Sequence, residues 1–388
     1  MTDRFFDGNP KNSDQKKGEY DPGTNAKYSG GDLAGITQKI DYIRGLGATA
    51  VWITPPVANQ WWDPMNSYGG YHGYWAENLV KDDRHLGTLK DYQTLSKELH
   101  RNGMYLIQDI VPNHMGNFFR LTGKGSSSKF IRNADSVPVS KPSQSPFNLN
   151  DFSDPAQREA SIYHWTGNIP NMDNDIDRWT GQLSDLDDLD TANPVVVEAL
   201  KKSYGYWIQN AGVDAFRIDT VKYIEHDFWN DFLWSTDPAS PGIMETARKN
   251  GKTNFVAFGE TWNANASFSD SGDRLSASYL GTAEKPELNG ILNFSLQVEM
   301  TEVFARGKST DRLAWRMASL KRTFGDLTRL YNFVDNHDMN RFLESATIED
   351  LETALLFMYT VPGVPIIYYG TEQGFTDVRA SMFANGYN

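Results

Sequence analysis

Asp214–Tyr223 reads DAFRIDTVKY, and in it Arg217 and Asp219 are charges set two apart within an otherwise apolar run. Ala215, Phe216 and Ile218 suit a strand packed on both faces, where either charge would be costly to bury without a partner. Side chains two apart share a strand face, so guanidinium and carboxylate meet there and the cation favours the ionised acid. An aspartate held ionised in such a setting can act as a nucleophile. The same pair can equally be an ion pair that fastens a strand end.

Three further stretches have the same form. Tyr105–Val111 (YLIQDIV) carries Asp109 and runs into Pro112, Asn113 and His114; Phe255–Glu260 (FVAFGE) ends on Glu260; Tyr331–Asp335 (YNFVD) leads to Asn336, His337 and Asp338. In a parallel barrel all four strand ends converge on one face, and unrelated structural ion pairs have no reason to gather there. Three carboxylates with two histidines and an arginine suit glycoside hydrolysis. One carboxylate attacks the anomeric carbon, a second delivers a proton to the leaving oxygen, and the remaining groups orient sugar hydroxyls.

The elements that must position these groups follow from periodicity. Leu33, Ile36, Ile40, Ile43 and Leu46 are spaced as one helix, and Thr49–Pro55 (TAVWITP) reads as a buried strand. A loop with YGGYHGYW (68–75) and a helix over 89–101 precede the strand at Tyr105; a helix over 194–211 leads into Asp214. Strands at 255–260, 290–294, 331–335 and 364–369 continue the alternation, which implies a parallel sheet. Seven strands are counted, and a residual strand leading into Thr2-Asp3-Arg4-Phe5 makes eight. The expected fold class is α/β, a (β/α)8 TIM barrel with an irregular subdomain inserted after strand 3. Residues 1–114 and 191–388 form the barrel in this reading, and 115–190, rich in Gly, Ser, Asn and Pro and closing on LSDLDDLD (183–190), form the insertion. The polar N-terminal stretch supplies oxygen donors at Asp7, Asn9, Asn12 and Asp32. A calcium loop and a plain solvated loop both fit that composition.

Composition narrows the classes. At 388 residues, 39% hydrophobic and 13% aromatic, the chain can bury a large core. A formal charge of −13 and the lack of any Lys/Arg run argue against a nucleic-acid or polyphosphate partner. There is no apolar stretch of membrane-spanning length, and MTDRFFDGNP has no apolar signal region, so no membrane contact is expected. The absence of cysteine excludes disulfides, thiolate metal sites and a cysteine nucleophile without fixing a compartment. Eleven Trp and eighteen Tyr serve mostly the core, with a minority available to stack on sugar rings in a cleft.

Asp109-Ile-Val-Pro-Asn-His114, Phe216-Arg-Ile-Asp-Thr-Val-Lys-Tyr223, Gly259-Glu260-Thr261-Trp262 and Phe333-Val-Asp-Asn-His-Asp338 closely resemble the four signature regions of the α-amylase family of glycoside hydrolases, in the family's order. The resemblance extends to YHGYW (71–75), LSDLD (183–187) and GVPIIYYGTEQ (363–373), hence over nearly the whole chain. It implies Asp219 as nucleophile, Glu260 as general acid/base, Asp338 as transition-state stabiliser and Arg217 as the nucleophile's partner. His72, Tyr74, His114 and His337 would hold the sugar at the cleaved bond, with Lys222 toward the leaving group. It also implies calcium, held by Asn113, Asp185 and the Tyr223 carbonyl between barrel and insertion. A second calcium loop at Asp7, Asn9, Asn12, Gly30 and Asp32 resembles that of cyclodextrin glucanotransferases. Two departures stand out: Tyr223 replaces the family's usual histidine, and Ser13 stands where the glucanotransferase loop commonly has asparagine. The chain is expected to start inside strand one and to lack the final helix and C-terminal β-sandwich, so a secreted or periplasmic parent is implied. The expected partner is an α-glucan polysaccharide or maltooligosaccharide, bound by a monomer. The activity implied is retaining hydrolysis of α-1,4-glucan. The alternatives are a cyclodextrin-forming or disproportionating transglycosylase and, from another class, a non-catalytic carbohydrate-binding barrel, which would be expected to have lost one of the three acids.

Overall fold

The computed structural model describes residues 1–123, 128–263, 266–383 and 386. Seven parallel strands form its central sheet: β1 (Ala50–Ile53), β2 (Tyr105–Ile110), β3 (Ala215–Ile218), β4 (Val256–Gly259), β5 (Gly290–Leu292), β6 (Leu330–Phe333) and β7 (Val364–Ile366). They pair in chain order, each with its sequence neighbour. Register sets the site: Asp109 on β2 lies opposite Arg217 on β3, which lies opposite Phe258 on β4. β3 and β5 are buried at every position, Arg217 on β3 included.

Helices cover the sheet where caps and periodicity agree. Thr88 and Asp91 form a reciprocal capping box that starts Leu89–Arg101, and Tyr92, Leu95, Ser96 and Leu99 are its buried face. Asn193 caps Pro194–Ala211, which ends on Gly212 at φ 76°. The helix expected over 33–46 is instead two, Leu33–Gln38 and Ile40–Gly45, divided at Lys39.

The expected strand at Thr2–Phe5 does not form. Thr2–Arg4 is a 3₁₀ turn, and the fully buried Asp3 carboxylate accepts the amides of Ser29 and Gly30 while the Arg4 guanidinium donates to the carbonyls of Asn25 and Lys27. These two side chains find their partners in the 25–31 loop, so a strand pairing there would leave them buried and unsatisfied. β1 and β7 are therefore the sheet's edges among the described residues, and the insertion follows the second observed strand. A cavity of about 600 Å³ lies at that seam, lined by Ile36, Ile43, Ile53, Leu355, Val364 and Ile366 among others.

Residues 115–190 hold an antiparallel pair, Phe119–Thr122 with Lys129–Arg132, and two short helices, Pro155–Ala160 and Asp175–Thr180. Within this Gly-, Ser-, Asn- and Pro-rich stretch, Phe119, Phe130, Phe152, Tyr163 and Trp165 pack ring against ring, and Phe119, Phe147, Ile162 and Tyr163 join the main core. Isolated aromatics spread along a polar sequence leave no run to read, yet together they bury a substantial face.

Candidate active site

Asp219 directly follows β3, and its amide donates to the Ile110 carbonyl at the end of β2. Thr220 next to it is left-handed at φ 53°, which turns the chain out of the sheet. Glu260 follows β4 in the same way: its amide donates to the Ile218 carbonyl, and its carbonyl accepts the Val221 amide. Backbone pairing thus fixes the two carboxylates side by side. The guanidinium between them is fully buried: Arg217 Nη1 donates to Asp219 Oδ1 at 2.7 Å and to both Asp109 oxygens at 3.1 Å, and Nη2 donates to Glu260 Oε2.

One cation therefore serves three carboxylates. Burial raises the Glu260 carboxyl, Arg217 opposes it, and neighbouring Asp219, Asp338 and Asp109 push it further, to about 8. Asp109 is raised to about 7, by burial first and by Asp219 after the opposing Arg217. Asp338 behaves oppositely: burial acts upward, but His337, Arg217 and Arg379 outweigh it and hold the carboxyl well below the usual range. The arrangement provides one proton-bearing carboxyl and one ionised carboxylate in the same cleft, the division of labour that acid/base chemistry at neutral pH needs.

The predicted sugar contacts lie around this centre. Tyr74 Oη donates to Asp109 Oδ2 at 2.7 Å and meets His337 Nε2 at 2.7 Å; His337 Nε2 is also 3.0 Å from Asp338 Oδ2. His72 stacks on Tyr74 and accepts its amide, and His114 Nε2 meets the Tyr74 carbonyl at 3.2 Å. Burial lowers all three histidines, well below the ordinary value for His72. Lys222 Nζ donates to the Trp262 carbonyl at 2.7 Å, beyond Glu260. Sequence reasoning missed two neighbours. Arg379 reaches Asp338 at 3.5 Å and both Tyr68 and Tyr71, and Trp52 Nε1 donates to Asp109 Oδ2 at 3.0 Å. An indole inside the apolar run of β1 was the one available cue for Trp52; nothing local marks Arg379.

Among the described residues no group of three or more acidic or histidine side chains is arranged to hold a metal ion, so any cation must rely partly on amide and carbonyl oxygens. The N-terminal loop meets that condition. Asp32 accepts the amides of Gly8 and Gly35 and the Asn12 side chain, and Asp7 Oδ2 accepts the Ser13 hydroxyl. Burial raises both carboxyls, while Asn12 Oδ1 is buried without a hydrogen-bond partner. Gly30, at φ 100°, leaves room that a Cβ would fill 2.9 Å from Asp7 Oδ2. Asn9 Oδ1 accepts the Lys11 amide on the exposed side of the same turn.

The interdomain set needs a correction. Asp185 hydrogen-bonds Asn168, and the carboxylate beside Asn113 is Asp188, whose Oδ1 accepts Asn113 Nδ2 at 3.3 Å. LSDLDDLD contains the Leu-x-Asp-Leu pattern twice, at Leu183–Leu186 and Leu186–Leu189, and the second frame is the one that the His114–Asp188 bridge brings to the strand end. Asp188 Oδ2 is already engaged by His164 Nδ1 at 2.8 Å, so this set fits a cation less readily than the N-terminal loop. Tyr223 closes the 3₁₀ turn Val221–Tyr223 that follows Thr220.

The family profile described as alpha amylase, catalytic domain, matches residues 1–386. The chain is 31% identical to an α-amylase of Streptomyces lividans, over 94% of this chain and 43% of that protein. It is 28% identical to a cyclomaltodextrin glucanotransferase of Klebsiella oxytoca, over 98% and 58%. It therefore spans about half the length of the curated relatives it matches. Among solved structures, a three-domain cyclomaltodextrin glucanotransferase superposes with a TM-score of 0.83 at 31% identity, covering 99% of this chain and 75% of that one. An α-amylase from Geobacillus thermoleovorans complexed with acarbose gives 0.72 at 29%, covering 100% and 73%.

Proposed function

Because the chain belongs to the α-amylase catalytic-domain family, we propose that it is a retaining glycoside hydrolase that cleaves α-1,4-glucosidic bonds in starch-like glucans by double displacement. The observation that carries this reading is the shared guanidinium, which gathers Asp219 and Glu260 while leaving Glu260 the carboxyl with the proton. In the first step Asp219 attacks the anomeric carbon as Glu260 passes its proton to the departing glycosidic oxygen. In the second, Glu260 takes a proton from water, which displaces Asp219 from the sugar. Asp338, with His337 against it, holds hydroxyls of the distorting ring, and His72, Tyr74 and His114 line the same subsite; Arg217 hydrogen-bonds Asp219 and keeps it aimed. Lys222 faces the leaving-group side. Residues 1–114 and 191–388 act as the barrel, and 115–190 as the insertion that walls the cleft. Calcium, where bound, supplies rigidity and not chemistry: Asp7, Asn12 and Asp32, with Asn9 and the Gly30 carbonyl, are the residues to hold it in the N-terminal loop, and Asn113, Asp188 and the Tyr223 carbonyl beside the insertion. An exported monomer acting on polysaccharide outside the cytoplasm suits the proposal, and no described helix is long and apolar enough to cross a membrane.

A second reading, transfer to a sugar hydroxyl in place of water, is favoured by one feature. Trp262, two residues past Glu260, is 41% exposed and stacked on Phe294 with ring centroids 5.5 Å apart, a flat face on which an acceptor sugar can sit. Incubation with soluble starch followed by sizing and anomer analysis of the products decides between the two: α-configured linear oligosaccharides support hydrolysis, cyclic products support transfer, and no cleavage overturns both.

A further inference from the structure

We propose that Trp52 is a positioning residue which, through Asp109, keeps the site's proton on Glu260. The proposal rests on the reading of Glu260 as general acid and adds what determines its protonation. Trp52 lies on β1, an edge of the sheet three strands from β4, and makes no hydrogen bond or ring contact with Asp219 or Glu260. Its indole does two things at once. Nε1–H donates to Asp109 Oδ2 at 3.0 Å, and the ring faces the Arg217 guanidinium, whose central carbon is 5.0 Å from its centroid. Edge contacts to Phe258 and His337 fix the ring plane.

Asp109 Oδ2 thus receives three donors, from Trp52, Tyr74 and Arg217, and Oδ1 receives a fourth contact from Arg217. Donors aimed at a carboxylate stabilise its ionised form. The groups that face Asp109 are Arg217, Asp219, Glu260, Tyr74, Tyr204 and the amino group of Met1. Asp109 and Glu260, both held by Arg217, compete for a single proton near neutral pH, and burial lifts both toward holding it. Removing the indole donor tips that competition. A proton on Asp109 frees Arg217 to neutralise Glu260, removes one negative neighbour from it, and leaves the general acid ionised and useless for the first step.

The test uses Trp52→Phe, which keeps an aromatic face for Arg217 and deletes only the donor, and, in case that variant packs poorly, benzothienylalanine at position 52, which retains the bicyclic shape without the N–H. Two readouts are taken across pH: maltooligosaccharide cleavage, as kcat/KM, and the infrared carboxylic-acid band assigned to Glu260 by its loss in Glu260→Gln. The alkaline limb and the loss of the band are both expected to move to lower pH, by on the order of one unit for one hydrogen bond. Neither shift is expected when the same change is made in Asp109→Asn, which cannot take the proton. An equal shift in the Asp109→Asn background, or no shift in a folded Trp52→Phe chain, overturns the proposal. A chain that fails to cleave glucan but shows the infrared shift refutes the hydrolase reading and leaves the role of Trp52 standing.

Discussion

Arg217 touches both Asp219 and Glu260, and the role proposed for each is expected to be separable from the fold. Asp219→Asn and Glu260→Gln keep volume and hydrogen-bonding shape, so each should lower kcat on maltooligosaccharides by at least about 10²–10⁴-fold. Melting temperature should change little, because Arg217 keeps its bonds to Asp109 in either variant. Starch cleavage near the wild-type rate in either variant would remove it from the mechanism. The place of Asp219 and Glu260 at a strand's end was legible because such chemistry restricts both residue type and position; Asp109, Asn113 and His114 were singled out on the same ground. Asp185, expected beside Asn113, hydrogen-bonds Asn168 instead, because its motif repeats in overlapping frames and composition cannot tell which frame reaches Asn113. Arg379 was invisible for a different reason: it meets Asp338 across 41 residues of chain, and no local pattern encodes that meeting.

Among the elements, the N-terminal loop is tied to the barrel by a buried ionic cluster that makes stability depend on pH. His85 Nδ1 meets Asp83 Oδ1 at 2.8 Å, its Nε2 meets Glu19 Oε1 at 3.2 Å, and its ring stacks on Tyr28 at 3.8 Å. Burial acts downward on His85, but Asp83 and Glu19 outweigh it and lift the imidazole to about 9. Burial acts upward on Glu19, but the His85 hydrogen bond and the amides of Gln15 and Lys17 bring it down to about 2. A raised histidine stabilises fully below its unfolded value of 6.5 and loses that contribution as pH rises toward 9. A depressed glutamate stabilises fully above 4.5 and loses it as pH falls toward 2. Melting temperature is therefore expected to peak between about 4.5 and 6.5 from this cluster; His85→Gln should flatten the alkaline fall and Glu19→Gln the acid one. The loop next to it gives a second expectation. Calcium at about 100 times its Kd should add about 2.7 kcal/mol, read as a chelator-sensitive rise in melting temperature. Asp7→Asn or Asn12→Ala should reduce that rise, and Asp185→Ala should not, since its carboxylate serves Asn168. Long helices with caps were legible to the residue and apolar strand runs to within three, the strand expected over 364–369 ending at Ile366; the break at Lys39 and the turn at Thr2–Arg4 were not, because side-chain partners from the 25–31 loop decide the second and no sequence cue announces the first.

For the molecule as a whole, the open seam between β1 and β7 sets its behaviour in solution. Leu46, Leu356, Tyr359 and Val364 are between 40% and 66% exposed, and the last two line the same cavity as Leu46. Exposed apolar area of this kind favours association. Replacing Leu356 and Tyr359 by Gln is expected to lower dye binding and concentration-dependent scattering while changing stability by no more than about 0.5 kcal/mol each. The barrel class was legible from strand alternation alone, whereas the seam was not, because an unpaired edge is a property of what does not pair with it. The buried guanidinium cluster has one more bearing, on ionic strength. Ions screen the charges on the chain's surface, but Arg217 and Asp109 are wholly shielded from solvent. Raising salt from about 0.1 M to about 1 M shortens the screening length from about 10 Å to about 3 Å, which acts on exposed charges and hardly on buried ones. The alkaline limb of the pH–rate profile is therefore expected to stay in place across that range, and a limb that drifts with salt would mean that water and ions reach the cluster during turnover. An enzyme built this way would work at the same pH in brine as in fresh water.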